Sequence, residues 1–238
     1  TVEKISLRIT VLPEGGIEGN IIIERYSKLA RKSPEAEVVF FAIGFETTTP
    51  PTALALTRVM KACEPGLYEF QMESLIEGTF LEYGAAMPGF SSIVGSGPNA
   101  TILHYEPNTR IMENGDLLLM DIGAEYGYYT ADITRTIPVN GRFSDEQRTI
   151  YQLVLDAQLA AIEQMKPGNM YMDGHMAAKD VIVEGLTELG LITEPTSAWQ
   201  IKFYILYPSS HYLGLNVHDV GEMGGSFSSF MNQTPQES

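Results

Sequence analysis

Cysteine is nearly missing: Cys63 stands alone among 238 residues. That excludes an internal disulfide, and with it a disulfide scaffold or a Cys-rich zinc or iron–sulfur site within one chain. Positive charge is scarce as well, with 15 Lys and Arg against 30 Asp and Glu and a formal net charge of −15. Such a chain repels phosphate backbones and anionic lipid heads, which argues against nucleic acid and membrane surfaces as partners. It suits cations and small substrates; solubility is the plain alternative for the same charge. No apolar run approaches the roughly 18 residues of a membrane-spanning helix. Thr1 to Thr10 carry charge, lack the apolar core of a signal peptide and include no initiator Met. Cytoplasm is the expected location, and a processed product or a fragment is an expected origin.

What remains is globular text. Hydrophobic residues make up 44% and charged residues 19%. A chain this long can bury about 70% of its unfolded surface in a core.

Val38 to Gly44 (VVFFAIG) is a continuous apolar run, typical of a strand buried on both faces as in a parallel sheet. Thr47 to Pro51 is expected to stop regular structure. Helices are predicted at about 52–64 and at 72–83, the second with Leu75, Ile76, Phe80 and Tyr83 on one face. Gly84 to Pro98 reads as loop around a short strand, 91–94. Residues 101–105 read as strand, Asn114-Gly115-Asp116 as a turn, and 117–120 and 128–138 as strands. Ser144-Asp-Glu-Gln147 is a capping box that opens a helix with Ile150, Leu153, Val154, Ala157, Ala161 and Ile162 on one face, ended by Lys166-Pro167-Gly168. A further helix follows at about 172–189. Residues 203–207 and 213–218 read as strand or buried loop, and 221 onward as a frayed tail.

The chemistry concentrates in Leu117 to Thr136 (LLLMDIGAEYGYYTADITRT). If Tyr126-Gly127 is a two-residue hairpin loop, Asp121 lies directly opposite Asp132, with Cα atoms roughly 4.5–5.5 Å apart. Like charges opposed across strands repel, and burial worsens the conflict unless one carboxyl is protonated or a cation sits between them. The alternative is an exposed hairpin with Asp on a wet face, against which the apolar neighbours of Asp121 argue. A second cluster, SSHYLGLNVHDVGE, holds His211 and His218, and imidazoles in apolar text suit metals or acid–base work. His104, in ATILHYEPN, is a third candidate. His175 sits in helical text and is expected to be exposed.

These residues carry a family resemblance. MKACEPGLYEFQMES, GSGPNATILHY, NGDLLLMDIGAEYGYYTADITRTIPVNGRFSDEQRTIYQLVL and SHYLGLNVHDVG together resemble the metallopeptidases of the pita-bread fold, in the branch of Xaa-Pro aminopeptidase and Xaa-Pro dipeptidase. The likeness runs from about 58 to 223. It implies Asp121 as a terminal and Asp132 as a bridging metal ligand, and His211 as a third ligand of the same centre. It implies that His104 and His218 hold substrate and stabilise the tetrahedral intermediate. It implies two divalent ions, manganese first with cobalt or zinc as alternatives, and a peptide substrate with proline at the second position.

The departures from the family pattern are specific. The family uses two further glutamate ligands after the second histidine, one in a T-x-E-P-G-like motif. Residues 219–238 hold only Glu222, too near His218 for either place, and Glu237 in a polar tail. The His-Gly pair that precedes the ligand histidine in the family reads Tyr207-Pro208-Ser209-Ser210 here. The 238 residues are therefore expected to bind metal weakly and to be impaired as a peptidase.

Separately, residues of about 19–53, centred on EVVFFAIGFETTTPPTA, resemble the hydrogenase-maturation protein HypD, with none of its functional cysteines. The expected class is α+β: residues 1–57 a short α/β segment, HypD-like in part; 58–223 an incomplete pita-bread domain; 224–238 a disordered tail. The alternative to a peptidase is a non-catalytic scaffold or a metallocentre-maturation partner. An open sheet edge would invite pairing with another chain, so a homo-oligomer is an expected form.

Overall fold

The computed structural model describes residues 43–44 and 49–220. Most of the HypD-like stretch and the expected tail therefore lie outside the described residues. The described chain forms two compact units. The first takes residues up to 142 together with Leu213–Asp219, and the second takes Phe143–Tyr212.

In the first unit two helices cover one face of an antiparallel sheet. Helix α1, Thr49–Ala62, begins where the sequence predicts a stop. Pro50 and Pro51 fall in its first turn, where the backbone N–H groups have no intrahelical acceptor and a fixed φ is helical, so the prolines start the helix. It runs unbroken across position 57. Ala53, Leu56 and Val59 form its buried face.

Helix α2, Glu69–Glu82, starts three residues earlier than predicted. The Gln71 side chain accepts the Tyr68 N–H at 2.8 Å and so satisfies a donor that the first turn leaves open. Met72, Ile76 and Phe80, spaced by four, are buried against the sheet. Tyr83, expected on that face, is exposed, and its ring lies 5.3 Å from the Arg58 guanidinium. Arg58 also pairs with Glu82 and so ties α1 to α2.

The strands are β1 (Ile43–Gly44), β2 (Met87–Pro88), β3 (Ile93–Ser96), β4 (Leu117–Ile122), β5 (Ala124–Tyr126) and β6 (Tyr129–Pro138). Their order is β2-β5-β6-β4-β3, with β1 on β6. The pairing of β1 with β6 is antiparallel, Ile43 opposite Asp132, which corrects the parallel environment expected for the VVFFAIG run. Residues 101–105 are not a strand. A 3-10 helix, Gly97–Thr101, leads into an irregular loop. His104 takes a positive φ of 50°, so an extended run across 101–105 cannot form. Along β4, Leu118, Met120 and Ile122 face the core while Leu117, Leu119 and Asp121 are half-buried on the other side.

The second unit holds α3 (Asp145–Gln164), α4 (Tyr171–Glu188) and α5 (Ala198–Tyr204). Ser144 caps α3 as predicted: Gln147 N–H donates to Ser144 Oγ at 3.2 Å, and Ser144 N–H donates to Gln147 Oε1 at 2.9 Å. Of its expected apolar face Ala157 is buried, whereas Ile150 and Val154 are exposed. Ala178, Leu186 and Ile192 are further buried apolar residues of this unit. Residues 203–207 are neither strand nor buried: Phe203, Tyr204 and Tyr207 are exposed at and beyond the end of α5. Residues 213–218 form bends without strand. Among the described residues no helix is long and apolar enough to cross a membrane.

Candidate metal centre

The hairpin between β5 and β6 turns on Gly127-Tyr128, one residue later than predicted. Tyr126 pairs with Tyr129, and both loop residues have positive φ, 58° and 73°, as a type I′ turn requires. Gly127 takes the first of these without a Cβ penalty. The register therefore moves by two residues. Asp121 stands opposite Thr134, not Asp132, which becomes its diagonal neighbour at roughly 7–8 Å between Cα atoms. A shift of two leaves each side chain on its face, so Asp121, Asp132 and Thr134 share one side of the sheet, away from the buried Met120, Ile122 and Ile133.

The electrostatics of that face are unusual. Burial is the main reason that the Asp121 carboxyl is pushed up to about 6, and the Asp132 charge adds to it. A hydrogen bond from Thr134 favours the ionised form, and one shared with Asp132 favours the neutral form. Asp121 Oδ1 is buried and has no hydrogen-bond partner among the described residues. A buried carboxylate oxygen without a donor costs free energy. Here it lies beside a second carboxylate, a donor set that suits a hard divalent cation. Asp121 and Asp132 thus fit the metal that the sequence implies. Among the described residues, however, no group of three or more His, Cys, Asp or Glu side chains is arranged to hold a metal.

The expected histidines are distributed over separate segments. His104 is exposed on the 96–110 loop, and its charge lowers the Asp121 pKa, which puts it within electrostatic reach of that face. His218 is exposed on the 213–219 segment. That segment docks on the sheet because Gly214 O accepts the Thr130 N–H at 3.1 Å and the Thr130 hydroxyl at 3.3 Å. A Cβ at Gly214 would lie 1.7 Å from Asp219 Oδ2, so any larger residue there would displace the Asp219 side chain. His211 belongs to the second unit, where its Nδ1 lies 2.9 Å from Tyr212 O. Its segment is held by Tyr171, which donates to Ser210 O and stacks on Tyr212 at 5.8 Å.

His175 is a correction. It is 2% exposed, not on the surface, with Nδ1 2.9 Å from Ser209 Oγ, and burial keeps its pKa below the usual value. It faces inward where α4 supports the 209–212 segment, a placement that helical periodicity does not reveal without knowing which face is covered. Glu69 was also missed. It is assigned no role by sequence alone, yet it is fully buried.

Likeness to known proteins bears on this arrangement. The model of metallopeptidase family M24 matches residues 51–236. An Xaa-Pro aminopeptidase of Escherichia coli strain K12 is 40% identical over 197 residues, covering 81% of this chain and 44% of that protein. A human Xaa-Pro dipeptidase is 36% identical over 172 residues, covering 68% of this chain and 35% of that one. Among solved structures, the Pseudomonas aeruginosa aminopeptidase PepP superposes with a TM-score of 0.70 at 34% identity, covering 88% of this chain and 53% of that one. A zinc-substituted E. coli aminopeptidase P in complex with product superposes with a TM-score of 0.70 at 39% identity, covering 74% and 41%. The chain spans about half the length, or less, of these relatives.

Proposed function

The chain belongs to metallopeptidase family M24 and carries part of the pita-bread fold, and we propose that it is the partial site of a peptidase that cleaves the bond before a proline. Asp121 and Asp132, with His211 as the third ligand, would hold two divalent ions, manganese first. Bound there, the ions supply a water of lowered pKa and positive charge for the developing oxyanion. His104 and His218 hold the peptide and donate hydrogen bonds to the reacting carbonyl, with proline at the substrate's second position. The T-x-E-P-G-like glutamate and its bridging companion are not among the 238 residues, so in isolation these residues bind metal weakly and turn over poorly.

The observation that carries this reading is the buried Asp121 oxygen without a donor, set beside Asp132 in a chain whose relatives are named for Xaa-Pro peptides. Manganese titration calorimetry on the 238-residue chain tests it. Weak binding is expected, and it should disappear in Asp121→Asn and in Asp132→Asn. Heat unchanged by both substitutions would overturn the site, and tight two-ion binding would overturn the impairment.

The second reading, a scaffold or maturation partner, is favoured by the lack of a three-ligand cluster among the described residues. Hydrolysis of an Xaa-Pro dipeptide with added manganese separates the two readings. Turnover lost in Asp132→Asn supports the peptidase, and no turnover in either chain supports the scaffold.

A further inference from the structure

Glu69 sits in the first turn of α2 and is 0% exposed. Its Oε1 accepts the Ser96 N–H at 2.6 Å, the Ser96 hydroxyl at 2.7 Å and an Asn99 amide hydrogen at 3.1 Å. Its Oε2 accepts the Tyr105 hydroxyl at 2.9 Å and the Arg110 N–H at 3.1 Å. These donors come from the start, the middle and the end of one loop, 96–110. Asn99 also donates to the Tyr105 oxygen at 2.7 Å, and the Arg110 guanidinium donates to Ser96 Oγ at 3.1 Å and pairs with Asp116. Ile102, Leu103 and His104 between these anchors are exposed, so apolar burial does not hold that stretch. His104 also takes a left-handed backbone, φ 50°, which is strained for a non-glycine residue and persists only when its surroundings impose it. The next residue, Tyr105, is buried and bonded directly to Glu69.

A helix start does not need a buried carboxylate, and burying one is costly unless its oxygens are paired. What the carboxylate adds is a pair of acceptor oxygens on which five donors converge with fixed geometry. We propose that Glu69 is a positioning residue for His104: one buried side chain ties the loop at three points and so fixes the imidazole toward the Asp121 face. The functional importance of that position rests on the peptidase reading, but the positioning itself is tested without metal or turnover.

The experiment uses the full chain labelled at its four histidines, whose imidazole signals are resolved by NMR, with His104 assigned by its loss in His104→Gln. Asp121→Asn is expected to displace the His104 signal. In a Glu69→Gln background the same substitution is expected to leave the His104 signal unmoved, while the His175, His211 and His218 signals stay dispersed. Glu69→Gln keeps the shape but turns an amide toward groups that all donate. Met72→Ala, one turn along the same buried helix face, is the structural control and should preserve the response. Where Glu69→Gln fails to fold, Tyr105→Phe removes a single donor and should lower the response at least twofold. A His104 response that persists in Glu69→Gln or in folded Tyr105→Phe, or that Met72→Ala abolishes equally, overturns the proposal, as does the lack of any response in the unsubstituted background. Loss of the response in Glu69→Gln in a chain without Xaa-Pro hydrolysis would uphold the positioning and reject the peptidase reading.

Discussion

Two buried carboxyl groups in the first unit are treated in opposite ways. Burial alone would raise Glu69, but hydrogen bonds from Ser96, Arg110 and Asn99 outweigh it and hold the carboxyl below its ordinary 4.5. Asp121 receives one helpful bond, keeps an oxygen without a donor, faces a second carboxylate, and rises to about 6. The first is a saturated joint that holds a loop. The second is an unfinished one, and an incomplete buried site is where an exogenous group has the most to contribute. The difference lies in the donors each fold position supplies, since both are carboxyl groups.

Substitutions that remove or equalise the two environments test this contrast. Glu69→Ala leaves several buried donors open and should cost about 3–5 kcal/mol in the denaturant midpoint. Asp121→Asn should do the reverse at pH 8 and stabilise by on the order of 2 kcal/mol, because it removes the cost of ionising a buried group.

The pH dependence gives the sign separately. Asp121 titrates at about 6 when folded and at 3.8 ordinarily. The native state therefore binds more protons in that window, and stability falls as pH rises from about 4 through 6. In Asp121→Asn that decline should be lost. Glu69 runs the other way: its folded value lies below 4.5, so its contribution is present above 4.5 and is lost as pH falls further. The stability of the unsubstituted chain relative to Asp121→Asn should therefore fall as pH rises from about 4 through 6, and a difference that stays level or grows across that range would break the contrast.

Tyr105→Phe, which removes one of the Glu69 donors, should cost about 1 kcal/mol by thermal unfolding. Smallest, and in the other unit, Ser144→Ala should cost about 0.5–1 kcal/mol through its helix cap, read by thermal unfolding.

Much of this was legible in the residues. The Ser144 cap, the helix at 172–189 and the strands on either side of the hairpin follow local rules and lie within a few residues of their predicted bounds. Several failures share a cause, dependence on a partner distant in sequence, whereas the hairpin turn and the first turn of α1 are local misreadings. Glu69 gains its meaning from Ser96, Tyr105 and Arg110, and His175 from Ser209. Pro50 and Pro51 are a different case: proline in a first turn is a local helix-start signal, here read as a stop. Residues 101–105 have strand composition, but the anchors at Glu69 and the positive φ of His104 hold them in a loop. Of the candidate site, the shared face of Asp121 and Asp132 could be read from alternation alone, whereas the ordering of the His104 loop could not.

The turn at Gly127-Tyr128 sets a parity rule for the hairpin. Insertions or deletions at its tip that come in even numbers re-pair the two ribbons and leave both acids on their common side. A single added residue that propagated into the ribbon would send one of them into the oily interior. Length variation at this tip should therefore be tolerated in steps of two.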